Sequence, residues 1–205
     1  MWRKIKKLRF WWKTLVIFDT SNIYTTYAKH KKIFKFKDYF NFVKNLIEKL
    51  LTEYSKRIKR ENIYLFVWID ENLEKSKWFY QEVVKLLSEN KVISKKVKYF
   101  NVKWQLKRKA DLDADMWFYL WKLKDRFTSF LIFSSDGDFA WIYRELLSEW
   151  KQVVVLHWYI SEKEYKQYRK KRKLKNYNIW REILELQKIF PGYIFVHPID
   201  ILFEN

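Results

Sequence analysis

Short apolar, β-branched runs that each close in a polar or acidic cluster, alternating with stretches of helical periodicity, constrain this chain more than any other feature. Thr14 to Phe18 runs into Asp19-Thr20-Ser21-Asn22, Ile63 to Ile69 into Asp70-Glu71-Asn72, and Phe130 to Phe133 into Ser134-Ser135-Asp136-Gly137-Asp138. Runs of this length suit buried strands that end in turns or functional loops. Between Asp38, read as an N-cap, and Ile58, the residues Phe40, Phe42, Val43, Leu46, Ile47, Leu50 and Leu51 recur at helical spacing. Trp78 to Leu87 and Met116 to Leu123 read as further helices, and Phe139, Ile142, Tyr143, Leu146 and Leu147 mark one face of a fourth. Val97 to Val102 reads as a third, more polar strand and Val153 to Leu156 as a fifth. The alternation predicts an α/β fold: a mostly parallel, five-stranded sheet covered by helices on both faces.

Past His157 the pattern changes. Lys163 to Lys175 is basic, with Arg169-Lys170-Lys171-Arg172-Lys173 at its centre, and Ile179 to Ile189 is amphipathic until Pro191-Gly192 stops it. Tyr193 to Val196 has the composition of a short final strand, so residues 161–192 read as a basic helical insertion in one domain spanning 14–205. Residues 1–13 carry six basic and no acidic side chains and read as a basic aromatic N-terminal extension. The apolar run that follows is short and lacks a small-residue cleavage site, unlike a secretory signal. No window approaches the roughly 18 apolar residues of a membrane span. The expected location is intracellular and cytoplasmic, with an organelle matrix as the alternative.

The 205 residues include 43 Lys plus Arg against 24 Asp plus Glu, a net charge of +19. That is more than solubility requires and points to a polyanionic partner, foremost nucleic acid. Hydrophobic residues at 49% exclude a disordered basic tail, and the absence of cysteine excludes disulfides, thiolate-bound metals and a thiol nucleophile. Most of the twelve tryptophans are expected in the core, with the exposed minority at the N-terminus and in the insertion. Those beside Lys and Arg suit stacking on unpaired bases.

In an open parallel sheet, ligands gather beyond the carboxyl ends of the strands. Asp19 ends the first strand, Asp111, Asp113 and Asp115 precede the third helix, and Asp136 and Asp138 follow the fourth strand. Each has an ordinary explanation alone, as a cap, a turn or a charge on a helix dipole. Together they place acids at one edge of a strongly basic chain, which is costly without a cation. With oxygen ligands that cation is Mg²⁺ or Mn²⁺, suited to phosphate chemistry. On a helical reading Asp111 and Asp115 share a face, which favours them over Asp113.

Three stretches then resemble a family. Leu15-Val16-Ile17-Phe18-Asp19-Thr20-Ser21-Asn22, Arg108-Lys109-Ala110-Asp111 and Phe133-Ser134-Ser135-Asp136-Gly137-Asp138-Phe139 are similar to the signature stretches of NYN domains, which are PIN-like nucleases, with the LabA-like group nearest in pattern. The resemblance covers roughly residues 14 to 157 and implies a three-layer, Rossmann-like fold and metal-dependent cleavage of RNA. It implies divalent-metal ligands at Asp19, at Asp111 or Asp115, and at Asp136, with Asn22 and Asp138 in support. The chain departs from the pattern at Thr20 and Ser135, where the family favours glycine. A second helix acid of the family falls on Trp117, with Asp115 the nearest carboxylate.

The combined reading is a metal-dependent endoribonuclease that hydrolyses phosphodiester bonds at a carboxylate cluster. Lys103, Lys107, Arg108 and Lys109, with Arg169, Lys170, Lys171, Arg172 and Lys173, are expected to grip single-stranded or structured RNA. The alternative is a catalytically inactive RNA-binding subunit of a ribonucleoprotein that keeps the fold. PIN-like nucleases often pair, so a homodimer is a partner to test for. An anionic membrane held through Trp2, Ile5, Leu8 and Trp12 is the weakest reading.

Overall fold

The computed structural model describes residues 8–24, 35–102, 105–110, 112–134, 136–157 and 178–203. In chain order the elements are β1 (Thr14–Asp19), α1 (Thr20–Ile23), α2 (Phe36–Glu53), β2 (Ile63–Ile69), α3 (Glu74–Leu87), β3 (Val92–Lys96), β4 (Lys98–Val102), β5 (Gln105–Lys109), α4 (Asp113–Leu123), β6 (Ser129–Phe133), α5 (Ala140–Ser148), β7 (Gln152–His157), α6 (Asn178–Ile189) and β8 (Ile194–Pro198). Six strands form one sheet in the order β3-β2-β1-β6-β7-β8, with every neighbouring pair parallel.

The period of two along the strands sorts the core into two layers. From β1, Val16 and Phe18 face the layer built on Val43, Leu46 and Leu50 of α2 and Val83 of α3. Leu15 and Ile17 face the opposite layer of Met116 and Leu120 from α4, Ile142 and Leu146 from α5, and Ile183 and Leu186 from α6. Strands buried on both faces read as unbroken apolar runs, and β1 and β6 are buried along their whole length. The result is the expected three-layer α/β architecture, with six strands in the sheet rather than five.

The third strand of the sheet is Val92–Lys96, not Val97–Val102. Val92–Lys96 is an edge strand whose last three residues are exposed, and lysine-rich edges discourage pairing with foreign strands. Its few apolar residues hide it from a periodicity reading. Lys98–Val102 pairs instead, antiparallel, with Gln105–Lys109 in a separate two-stranded ribbon. Helix α2 opens after Lys35, so Asp38 lies in its first turn rather than at its cap.

Of the expected insertion 161–192, the described part is α6, which forms the crossover between β7 and β8. Gly192 follows it at φ +84°, a left-handed turn that glycine enters without strain. Residues 169–173 lie outside the described residues. The described part of the N-terminal extension packs on the domain: Leu8 is buried, and the Trp11 amide donates to Ser129 Oγ and Gln152 Oε1, both at 3.0 Å. Among the described residues no helix is long and apolar enough to cross a membrane.

Candidate functional site

Strand β1 and its neighbour β6 stand where the strand order reverses: the chain goes from β1 outward to β2 and β3, and returns to β6 before proceeding to β7 and β8. A crevice opens at such a switch point beyond the carboxyl ends of the strands. Phe18 and Phe133, paired in register, stack there with ring centroids 4.1 Å apart. Their successors Asp19 and Ser134 are therefore brought side by side.

Asp19 is only 3% exposed and both of its oxygens are engaged. Oδ1 accepts from the Asn22 amide at 3.0 Å and the Ser21 hydroxyl at 2.8 Å, which caps α1. Oδ2 accepts from the Ser134 hydroxyl at 3.1 Å. The same hydroxyl accepts from the Asp136 amide at 3.1 Å, and Asp136 Oδ1 accepts from the Asp138 amide at 3.0 Å, opening the turn 137–139 before α5. Burial pushes the Asp19 carboxyl above its ordinary range. The hydrogen bonds from Asn22, Ser21 and Ser134 pull the other way, and the charge of Asp136 adds to the rise.

Tyr143 on α5 was readable in sequence only as one apolar position of a helix face. It is fully buried, and its hydroxyl finds no hydrogen-bond partner among the described residues. Its pKa is raised by burial and then by the charges of Asp136 and Asp19. An orphaned buried hydroxyl is rare and marks a place where a water or ion belongs. The only available signal in the sequence was a polar tip on an otherwise apolar stripe, seven residues after Asp136.

Two hard carboxylates linked through Ser134 and close enough for their charges to act on one another, in a chain of charge +19 and with a buried hydroxyl in their field, fit Mg²⁺ or Mn²⁺. Mg²⁺ is commonly held by one or two carboxylates, with water and substrate phosphate completing its shell. Among the described residues, however, no three acidic or imidazole side chains converge. Asp115 does not join Asp19 and Asp136: its Oδ2 lies 2.6 Å from Lys95 Nζ on the edge strand. Asp111 lies outside the described residues, and α4 is described from Asp113.

Of the expected basic grip, Lys107, Arg108 and Lys109 fall on β5, opposite Phe100, Tyr99 and Lys98; Lys103 and residues 169–173 lie outside the described residues. The ribbon is tied to the sheet edge by the Val97 amide, which donates to Ile69 O at 2.9 Å, and by the Tyr99 hydroxyl, which donates to Asp70 Oδ2 at 2.5 Å. Asp70 follows the last residue of β2, beyond Phe66, which is the register partner of Asp19. In sequence it is only the first member of the polar cluster that closes a strand, yet it is 4% exposed.

The tryptophans depart from expectation. None of those described is fully buried, and Trp12, Trp121, Trp141 and Trp150 are exposed. Two of the exposed rings lie on α4 and α5, away from the N-terminus and the insertion. Trp141, in the first turn of α5, stacks on Trp117 of α4 at 4.8 Å.

A doubly wound parallel sheet with an acidic pair at its switch point defines a Rossmann-like α/β protein with a carboxylate centre. The NYN domain model matches residues 13–176, and the chain belongs to the NYN domain family, within the PIN-like superfamily and hence among nuclease-like proteins. No curated protein matches it. A crystal structure of a protein of unknown function, VPA0982 from Vibrio parahaemolyticus, is similar in fold at TM-score 0.50 and 17% identity, over 74% of this chain and 85% of that one.

Proposed function

We propose that this chain is a metal-dependent endoribonuclease whose centre is the pair Asp19 and Asp136. The observation that carries the reading is the hydrogen-bonded path Asp19–Ser134–Asp136 at the switch point of the sheet. It concentrates negative charge where a +19 chain would otherwise attract phosphate. A bound Mg²⁺ or Mn²⁺ would polarise the scissile phosphate and lower the pKa of a water.

The chain's own residues supply position. Asp19 and Asp136 would hold the cation, and Ser134, Ser21 and the Asn22 amide orient the Asp19 carboxylate and favour its charged form against the effect of burial. Tyr143 donates to the water that faces the two carboxylates, and Asp138 braces the turn that presents Asp136. Lys107, Arg108 and Lys109 on the ribbon offer positive charge for the RNA backbone flanking the cleaved bond, as would residues 169–173.

The test is cleavage of single-stranded and structured RNA with Mn²⁺ by the unsubstituted protein and by Asp136→Asn. A loss of at least about 100-fold is expected from removing a ligand charge, given that even supporting groups are worth about 10- to 100-fold. Undiminished cleavage by Asp136→Asn removes the mechanism.

Trp117 in place of a second helix acid, and the pairing of Asp115 with Lys95, favour the second reading of a non-cleaving RNA-binding subunit. It predicts salt-sensitive RNA binding, no metal-dependent turnover, and affinity that Asp136→Asn leaves equal or improved.

A further inference from the structure

We propose that the aromatic pocket beside Asp19 is a pyrimidine-base subsite that prefers cytosine and seats one unpaired base next to the cleaved phosphate; the role in cleavage rests on the ribonuclease reading above. The pocket lies over the ends of β1 and β2, with a volume of about 110 Å³. It shares Ser21 with the acidic centre, since Ser21 lines it while donating to Asp19 Oδ1. A ligand in the pocket therefore lies one side chain away from the carboxylate pair.

The walls are flat and pre-assembled. Tyr39 and Phe79 stack at 5.3 Å, Tyr24 meets Tyr39 at 5.0 Å with rings at 64°, and Phe36 meets Phe79 at 6.2 Å with rings at 78°. The Tyr39 hydroxyl is committed to Thr20 O at 2.6 Å, so this residue offers its ring rather than its donor. An enclosed apolar cavity of about 150 Å³ takes one benzene. A pocket of this size that opens to solvent therefore suits a single six-membered ring and is too small for a fused purine.

Asp70 supplies the selectivity. Asp70 lines the pocket, and its carboxylate is held in place by the Asn72 amide on Oδ1 at 3.1 Å and the Tyr99 hydroxyl on Oδ2 at 2.5 Å. A carboxylate in its charged form accepts hydrogen bonds and donates none. Cytosine presents a 4-amino donor to such an acceptor, whereas uracil presents a 4-oxo oxygen that it repels. A cationic occupant would also suit rings and a carboxylate. The net charge of +19 disfavours cations and draws ligands that carry phosphate.

The experiment compares binding of fluorescent octamers of cytidylate and uridylate at pH 7.5 and fixed salt, in chelator, to the full chain and to Asp70→Asn and Leu73→Trp. Expected is about tenfold tighter binding of the cytidylate octamer by the unsubstituted protein. Asp70→Asn, whose amide donates to a 4-oxo oxygen, should abolish or reverse the preference. Leu73→Trp, which fills the pocket from a position outside the Asp19–Asp136 pair, should equalise the two. Equal binding by the unsubstituted protein, or a preference that survives both substitutions, overturns the subsite. So does displacement of the cytidylate octamer by tetramethylammonium as readily as by cytidine. Cleavage mapping with Mn²⁺ separates the two readings: discrimination without cleavage retains the subsite and removes the nuclease, and cleavage without discrimination does the reverse.

Discussion

The Ser134 hydroxyl donates to Asp19 Oδ2 at 3.1 Å while accepting the Asp136 amide at the same distance, so one side chain couples the ends of two neighbouring strands. A hydrogen bond to a charged group contributes roughly 1.5–3 kcal/mol. Ser134→Ala should therefore lower Mn²⁺ affinity and cleavage by about 10- to 100-fold, and Ser134→Thr should restore most of both. Equal activity of Ser134→Ala and wild type in a metal titration would remove Ser134 from the site.

Asp19 also makes a prediction about the metal-free protein. Burial raises its pKa above the ordinary 3.8, so the folded chain retains a proton that the unfolded chain has released. Stability then falls as pH rises from the unfolded value through the folded one, and levels off above it. In chelator at pH 7, Asp19→Asn should accordingly melt higher than wild type, by about 2–4 °C per kcal/mol for a chain of this size. Added Mn²⁺ should raise the melting temperature of wild type and leave Asp19→Asn unchanged. A mutant that melts lower in chelator contradicts the placement of an ionised, desolvated carboxylate at this position.

Tyr143→Phe separates a packing role from a site role. Its hydroxyl is buried without a partner among the described residues, so its removal costs no hydrogen bond within the described fold. Stability in chelator should be equal or higher by up to about 1 kcal/mol. Metal-dependent cleavage should drop by about 10-fold or more if the hydroxyl orients water between Asp19 and Asp136. Unchanged cleavage would make Tyr143 a core residue only.

The parts legible in sequence were those where local pattern and tertiary environment agree. β1 and β6 are apolar along their length because helices cover both faces, and their terminal acids follow from that register. β3 was missed because an edge strand has only one neighbour to satisfy, and Val92 to Lys96 carries lysines where a central strand would carry valine. Asp70 reads only as part of the polar cluster that closes a strand, since nothing local shows that Tyr99 returns from 29 positions away to bond it. Tyr143 was hidden for a related reason: periodicity shows which face is buried but not which hydroxyl lacks a partner. Trp121 and Trp141 depart from expectation because size and hydrophobicity argue for burial, while their positions on α4 and α5 are exposed.

Asp115 provides a contrast with the acids at the strand ends. It pairs with Lys95 across partly exposed surface, at 37% and 46% side-chain exposure, where such pairs contribute about 0–1 kcal/mol. Asp115→Asn should shift the melting temperature by no more than a few degrees and leave Mn²⁺-dependent cleavage within about threefold of wild type. A loss comparable to that of Asp136→Asn would show that Asp115 leaves Lys95 for the metal when RNA is bound.

Trp141 tests the meaning of the exposed indoles. It is 55% exposed, stands three residues after Asp138 and stacks on Trp117 at 4.8 Å, which places a paired aromatic surface on the α4–α5 side of the centre. Stacking of an unpaired base on such a ring is worth about 1–3 kcal/mol by alanine substitution and is indifferent to sequence. Trp141→Ala should therefore weaken binding of single-stranded RNA by roughly 5- to 150-fold and leave duplex affinity and the salt dependence unchanged, since no phosphate contact is lost. Trp141→Phe should recover part of the loss. Equal weakening of single strands and duplex would instead place Trp141 at a general contact surface, and no weakening of either would leave the indole pair to another partner, such as a second copy of the chain.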